Sequence, residues 1–390
     1  MPEPDKKSET KVLVVSHYYA AHGGGIERVT ERMIEEISSF GGLHFTWIAS
    51  GCDECGLSEE HDVIPMFTLN FIEFLFGIPW PIWGPNSIMR LKKAVKEADV
   101  VWLQDTLYMG NILAFFWAKK LKKPTVITQH IDLIPYKNPI LRNLMKWADR
   151  FFTCRMLKDA SQATFISDRV AESYYQRVPF LRPIQIIPNG VDAYIYRPTT
   201  PEKRKWLRQQ FALREDQPVI LFVGRFVERK GLSVIKELAK LLPDWRFWLA
   251  GNGPVSPRKW NLPNVHDFRN RQGSDLTDLY QAADLFILPS YGEGFPLVIQ
   301  EALATGLPVL CSPETAAGSR LAAPYLVQLE VIPTDATKTA QTWAAKMRSF
   351  SSQLPLKTSD EALAEFATTS WGWPVIASAY ADIFRALSKK

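Results

Sequence analysis

Short apolar runs separated by helix-length segments recur along this chain, and that alternation constrains its fold more than any other feature. In the first half, residues 11–15, 45–49, 99–103, 124–128, 163–166 and 184–187 read as buried strands, and residues 26–37, 111–120 and 141–158 read as helices. Strands that are apolar on both faces and alternate with helices build a mostly parallel sheet covered by helices on either side. The rhythm restarts after residue 200, with strands at 219–223, 246–250, 285–288 and 308–311 and helical patterns at 231–242, 276–282 and 296–304. A chain of 390 residues with 46% hydrophobic content exceeds what one core usually absorbs, so two domains are expected. Between the halves lies Pro188-Asn189-Gly190-Val191-Asp192, then Pro198-Thr199-Thr200-Pro201, a cluster of turn residues and prolines of the kind that separates domains. The expected architecture is α/β with two Rossmann-like domains, residues 1–195 and 196–370. A final helical segment, 371–390, has a domain membership that the pattern leaves open, packing back on the first domain being one option.

Composition narrows the function classes. Lys and Arg total 46 against 41 Asp and Glu, a net charge of +5. That excess is too small for a dedicated nucleic-acid binder, and no reader motif is present. The polar N-terminus has no signal-peptide character, and no window of 18 apolar residues occurs. A cytoplasmic protein is expected, with peripheral attachment to the inner face of a membrane left open. The four cysteines are Cys52, Cys55, Cys154 and Cys311. Only the first two form a C-x-x-C, and no second pair stands at zinc-site spacing, so reduced thiols and no metal site are expected.

Open parallel sheets bind ligands beyond the carboxyl ends of their strands, and the distinctive residues fall there. The turn His22-Gly23-Gly24-Gly25-Ile26-Glu27-Arg28 joins the first strand to the first helix. Its glycines allow close backbone approach, and the helix start favours an anion. Arg28 stands where a dinucleotide fingerprint needs a small residue, and no phosphate-binding G-x-x-x-x-G-K-[ST] loop occurs. The turn reads equally as a tight strand-to-helix connection. Gly224-Arg225-Phe226-Val227-Glu228-Arg229-Lys230-Gly231 follows the first strand of the second half. Cations fixed there would meet the negative charge that develops on a leaving diphosphate; the bland reading is a solvated basic turn. After the 285–288 strand comes Ser290-Tyr291-Gly292-Glu293-Gly294-Phe295-Pro296-Leu297, with Pro296 suited to a helix start and Glu301 on the helix. Carboxylates at 293 and 301 can accept hydrogen bonds from sugar and ribose hydroxyls. Gln129-His130-Ile131-Asp132 ends the 124–128 strand, and His130 could contact a sugar hydroxyl or developing charge, although a lone histidine is more often structural.

These residues together resemble glycosyltransferase family 4 of the GT-B fold. Four elements occur in order over nearly the whole chain: HGGGIERV, the QH strand end, VGRFVERKG, and Glu293-x7-Glu301 within EGFPLVIQEALATGLPV. PNGVD at 188–192 resembles the family's interdomain connection. The resemblance implies a retaining, metal-independent transferase with no cofactor, using a UDP- or GDP-linked sugar as co-substrate. It implies that Arg225 and Lys230 grip the donor diphosphate in place of a metal. Glu293 would contact the donor sugar, with the backbone of Gly294, Phe295, Pro296 and Leu297 holding sugar and phosphate. Glu301 would bind ribose, Gly24 and Gly25 would approach the phosphates, and His130 would touch the transferred sugar. Base contacts are expected from backbone around residues 268–271. Gln104-Asp105 departs from the family, many of whose members carry a histidine after this strand.

The acceptor implied is a saccharide or a lipid-linked molecule. Two segments bear on the second option: the aromatic-rich 66–83, and 142–158, where Arg142, Lys146, Arg150, Arg155 and Lys158 stand among Leu144, Trp147, Phe151 and Phe152. The latter reads either as a helix lying on anionic membrane or as a core helix with a solvated basic edge. Rival readings of the whole chain are a non-catalytic nucleotide-sugar-binding protein of this fold, a sugar-nucleotide epimerase, and a phosphorylase, for which no pyridoxal-bearing lysine context is found.

Overall fold

A computed structural model describes residues 9–22, 25–52, 61–76, 80–133, 138–291, 294–350 and 359–389. The chain forms two compact units, one of residues 1–190 and 373–390, the other of residues 191–372.

The first unit is built on a seven-stranded sheet. Its strands are β1 (Thr10–Val15), β2 (Leu43–Ser50), β3 (Asp62–Met66), β6 (Val100–Gln104), β7 (Thr125–Gln129), β8 (Gln162–Phe165) and β9 (Gln185–Ile186), while β4 (Thr68–Leu69) and β5 (Ile82–Trp83) form a separate short antiparallel pair. The order β3-β2-β1-β6-β7-β8-β9 is parallel throughout. The chain moves outward from β1 to β3, then crosses to β6 on the other side of β1. Between β1 and β6 lies the switch point, where the connecting loops diverge and leave a crevice at the strand ends. β6 and β7 are buried along their whole length, as expected for strands covered on both faces.

The helix Trp373–Ser388 belongs to this unit. Its Tyr380 hydroxyl lies 3.0 Å from Thr128 Oγ1 and 3.2 Å from Thr164 Oγ1. Tyr380 and Phe384 pack on Trp102, and Phe384 also meets Phe45. Gly190 is buried against the first residue of this helix, and a Cβ there would fall 2.3 Å from the Trp373 ring. The glycine of the PNGVD stretch is thus required by close packing.

The second unit has a six-stranded parallel sheet of β10 (Val219–Val223), β11 (Arg246–Ala250), β12 (Val265–Phe268), β13 (Leu285–Leu288), β14 (Val309–Cys311) and β15 (Leu326–Gln328), in the order β12-β11-β10-β13-β14-β15. Its switch point lies between β10 and β13. The helix Pro201–Gln210 is fastened to this sheet by buried charge. Asp284, fully buried, receives Arg204 Nη2 at 2.5 Å, Arg208 Nη1 at 3.1 Å and the backbone N–H of Val219 at 2.7 Å.

Two expectations differ from the structure. The single helix expected over 141–158 is divided into an α-helix at Pro139–Ala148, a π-helical turn at Asp149–Thr153 and an α-helix at Cys154–Asp159. The wider turn carries Asp149 inward, where its carboxylate accepts from Tyr174 Oη at 3.0 Å and Arg177 Nη1 at 2.5 Å. Pro296 is not inside its helix but is the N-cap of Leu297–Ala304. Among the described residues no helix is long and apolar enough to cross a membrane.

Candidate functional site

In the second unit, two loops leave the switch point and are joined to each other. The first carries Gly224 to Gly231 after β10, the second Pro289 to Leu297 after β13. Gly231 adopts φ +79°, and a Cβ there would fall 2.1 Å from Pro289 O, so only glycine lets the backbones come this close. Tyr291 N donates to Arg229 O at 3.1 Å and completes the link. Arg225 is exposed, while Phe226 is buried beside it and anchors the loop through Phe226 N to Asn252 O at 2.7 Å. Lys230 is half-buried and ends the 3-10 turn Glu228–Lys230. In the second loop Phe295 is buried against Trp371, and Gly294, Pro296 and Leu297 are partly exposed. The helix Leu297–Ala304 has no side-chain cap among the described residues, although Ile299 N donates back to Pro296 O at 3.0 Å, and a helix start of this kind favours an anion.

Glu301, one turn further, has its carboxyl buried. Tyr280 Oη donates to its Oε2 at 2.8 Å, and Tyr196 also bonds it. Burial pushes the carboxyl up to about 7, against the pull of the two tyrosine hydroxyls. Both tyrosines are pushed up in turn, first by burial and then by the Glu301 charge. Neither tyrosine was identified from sequence, because they lie 105 and 21 residues from Glu301 and carry no motif. At the end of β12, Arg269 sits over the Phe226 ring at 4.5 Å and donates to Asp267 at 2.9 Å, which ties the 268–271 segment to the first loop. Gly292 and Glu293 lie outside the described residues, so the position of Glu293 is not part of this geometry.

The first unit has its own constellation at its switch point. Gly25 opens the helix Gly25–Ser38, and a side chain there would meet open space. Gly24 lies outside the described residues. Just before this turn, Tyr18 and His22 stack at 3.7 Å and both bond Glu73, at 2.5 and 3.1 Å. Behind it, His17 Nε2 meets Glu27 Oε1 at 2.8 Å, both side chains being almost fully buried, and the His17 ring stacks on Tyr108 at 3.9 Å. Burial raises Glu27, but the bond and charge of His17 outweigh it and hold the carboxyl below the usual range.

His130 is buried at the end of β7, with Nε2 2.8 Å from Gln104 Oε1. Burial pushes its pKa down to about 4, so it is a neutral imidazole at physiological pH. Beside it, Asp105 follows β6 with φ +62°, a region that non-glycine residues rarely occupy and that concentrates at functional sites. Asn111 Nδ2 holds this turn, donating to Gln104 O at 2.6 Å and Asp105 O at 2.9 Å. Asp105 Oδ1 accepts the His130 backbone N–H at 2.7 Å. Burial, opposed by the N–H groups of His130 and Ile131 and assisted by the Glu27 charge, pushes its carboxyl up to about 7. Four buried polar atoms here, His17 Nδ1, Gln104 Nε2, Asp105 Oδ2 and Asn111 Oδ1, have no hydrogen-bond partner among the described residues. Such atoms cost about 1–3 kcal/mol each if never satisfied, so their clustering marks a place for a polar ligand. His17, Glu27 and Asp105 were not assigned from sequence. The signal for Asp105 was its place directly after a central strand.

Residues 203–350 match the family Glycosyl transferases group 1, and residues 23–194 match Glycosyltransferase Family 4. The chain is 34% identical over 167 residues to the Escherichia coli K12 lipopolysaccharide glucosyltransferase WaaG, covering 40% of this chain and 42% of that protein. It is 33% identical over 141 residues to the Escherichia coli UDP-Gal:alpha-D-GlcNAc-diphosphoundecaprenol alpha-1,3-galactosyltransferase, covering 33% of this chain and 36% of that protein. These matches span only about two fifths and one third of the relatives' own lengths. Among solved structures, Anabaena HepE in complex with UDP and glucose superposes with a TM-score of 0.68 at 18% identity, over 97% of this chain and 100% of that one. With both halves matched in order and each built on a parallel Rossmann-like sheet, the chain belongs to the family 4, group 1 glycosyltransferases and has the GT-B fold.

Proposed function

We propose that the protein transfers a sugar from a UDP- or GDP-linked donor to a saccharide or lipid-linked acceptor, retaining the anomeric configuration and using no metal. The observation that carries this reading is the pair of joined loops at the second switch point, which present Arg225, Lys230 and an uncapped helix start from one rigid base. Arg225 and Lys230 grip the diphosphate and supply the positive charge that a metal would otherwise give. The backbone of Gly294, Phe295, Pro296 and Leu297 holds phosphate and sugar, Glu293 takes the sugar hydroxyls, and Glu301 takes the ribose. In the first unit, Gly24, Gly25 and neutral His130 are the residues assigned to phosphate and sugar contacts. In the reaction the bond from the anomeric carbon to the phosphate oxygen breaks. The acceptor oxygen bonds to the same face of that carbon, and its proton passes to the departing phosphate. The names of the relatives favour a UDP-linked donor and an acceptor on a lipid diphosphate.

The test is a thermal-shift screen of the metal-free protein against UDP-, GDP- and ADP-sugars, followed by transfer assays with the donor that binds. A native-state ligand at about 100 times its Kd adds about 2.7 kcal/mol of stability, so one nucleotide family should raise the melting temperature by several degrees. No shift with any donor, or conversion of the donor without an acceptor, would refute the reading, the second outcome in favour of an epimerase.

Glu301 adds a pH dependence with a defined sign. Ribose hydroxyls donate to a carboxylate, and this carboxyl loses its proton only near pH 7. Donor affinity should therefore rise roughly five- to tenfold from pH 6 to pH 8, and Glu301→Gln should flatten the profile. Calorimetry with an intact nucleotide-sugar, whose diphosphate does not titrate in that range, would read this directly; a flat wild-type profile removes Glu301 from the ribose site.

A further inference from the structure

The Gln104-Asp105 pair departs from the family pattern, and nothing in the proposed transfer uses Gln104. It is the last residue of β6 and is buried. The backbone around it is braced. Asn111 Nδ2 fastens the carbonyls of residues 104 and 105, and Asp105 Oδ1 takes the backbone N–H of His130. The end of β7 is thus pinned to the end of β6 at the main chain. Gln104 adds a contact at the side chain, its Oε1 lying 2.8 Å from His130 Nε2.

Burial keeps His130 neutral. A neutral imidazole carries one N–H and one bare nitrogen, and the partner of one nitrogen fixes the state of the other. An amide oxygen facing the ring requires Nε2–H, whereas an amide N–H facing it would require a bare Nε2. The far end of the amide decides between them. Gln104 and His130 line a cavity of about 10 Å³ together with Thr30 and Thr128. Thr30 Oγ1 already gives its proton to Ile26 O at 2.8 Å, so what it offers the cavity is a lone pair. The amide NH2 suits that side, and the amide oxygen suits the ring. His130 then has a bare Nδ1. That nitrogen has no hydrogen-bond partner among the described residues and, unlike Gln104 Nε2, is not closed off from solvent.

We propose that Gln104 is a positioning residue that locks His130 as its Nε2–H tautomer and so presents bare Nδ1 as a hydrogen-bond acceptor for a hydroxyl of the transferred sugar. A hydroxyl can donate to this nitrogen; a carboxylate cannot. Without Gln104 the proton is free to sit on either nitrogen, and part of the population would offer the sugar an N–H in place of a lone pair. The effect on transfer rests on the assignment of His130 to the transferred sugar. The tautomer itself does not.

The experiment joins nitrogen NMR of the histidine rings with transfer kinetics, on full-length wild type, Gln104→Met and Gln104→Glu. Methionine fills the space without an amide, and glutamate keeps an oxygen for Nε2–H. The His130 signals are assigned by their loss in His130→Gln. At neutral pH, wild type should show a protonated Nε2 and a bare Nδ1, and Gln104→Met a mixture of the two tautomers. Gln104→Met should lower kcat by about 10- to 100-fold while donor affinity changes little, the mark of a contact that matters more in the transition state than in the bound donor. Gln104→Glu should keep the proton on Nε2 and recover part of the rate. Wild type with its proton on Nδ1 overturns the proposal, whether or not the variants fold. So does a folded Gln104→Met protein with the wild-type tautomer or the wild-type rate. Absence of transfer by wild type would refute the proposed function instead, and the NMR arm would still decide the tautomer.

Discussion

Replacing Lys230 by alanine is expected to slow sugar transfer by about 100- to 1,000-fold without unfolding the protein. The expectation rests on where the ammonium is held. Lys230 closes a 3-10 turn whose next residue, Gly231, is packed on the β13 loop through Pro289, so the turn has little freedom to drift. A fixed cation facing a leaving diphosphate stabilises the charge that grows as the glycosidic bond breaks, and that benefit is larger in the transition state than in the bound donor. The rate constant should therefore fall more than donor affinity does. Lys230→Arg should recover only part of the loss, since a planar guanidinium does not occupy the place of a compact ammonium. Single-turnover rates and donor titrations of the three proteins separate these terms. A Lys230→Ala enzyme within threefold of wild type in rate would remove this residue from the mechanism.

The second large effect concerns stability. Asp284→Ala should cost about 3–5 kcal/mol, a large part of the roughly 5–15 kcal/mol that holds an ordinary domain together. Arg204 and Arg208 are both buried, and besides Asp284 they donate to Gln281 O, Ala282 O and Gln217 O. Carbonyls satisfy their N–H groups but do not neutralise them. Without the carboxylate, two guanidinium charges remain in a low-dielectric place and the Val219 N–H loses its acceptor. Burial already pulls Arg204 below the usual arginine range despite the Asp284 charge. Converting the whole cluster to apolar residues, Asp284→Leu with Arg204→Met and Arg208→Met, should restore much of the loss, because buried ion clusters often give little net stability over well-packed hydrophobes. Urea denaturation of wild type, single and triple variants tests the pair of statements. A single variant that loses less than 1 kcal/mol would show that the cluster contributes little.

What the sequence makes legible follows from period and position. β10 and β13 are uniform apolar runs, β11 is apolar after Arg246, and all three were found with the same bounds, because a strand buried on both faces has no other pattern to imitate. β3, DVIPM, and β12, VHDF, were not found. Each lies at the edge of its sheet, carries polar or proline residues and is partly exposed. The motif-bearing residues Arg225, Lys230, Glu301 and His130 were visible because strand ends are short in sequence and rich in glycine. Their partners were not. Tyr196 and Tyr280 on Glu301 are single residues brought in from other elements, and Glu27 meets His17 across the turn that joins β1 to its helix; no motif signals either meeting. The neutral state of His130 was equally hidden, since it comes from burial beneath the β6 loop and not from its neighbours in the chain.

The helix Trp373–Ser388 sets the order in which this protein can be made. Its Tyr380 and Phe384 fill the core beside Trp102 and Phe45, yet they leave the ribosome after the whole of the second unit. The second unit is one continuous stretch, 191–372, and can finish folding while the first still lacks its final wall. Domains usually mature in the order of synthesis; here the N-terminal one is completed after the C-terminal one. A message cut short just after the codon for residue 372 would therefore yield a sound second unit tethered to a first unit with an open aromatic core. Such a product is a substrate for chaperones and proteases, which places a step of quality control for this protein at the helix Trp373–Ser388.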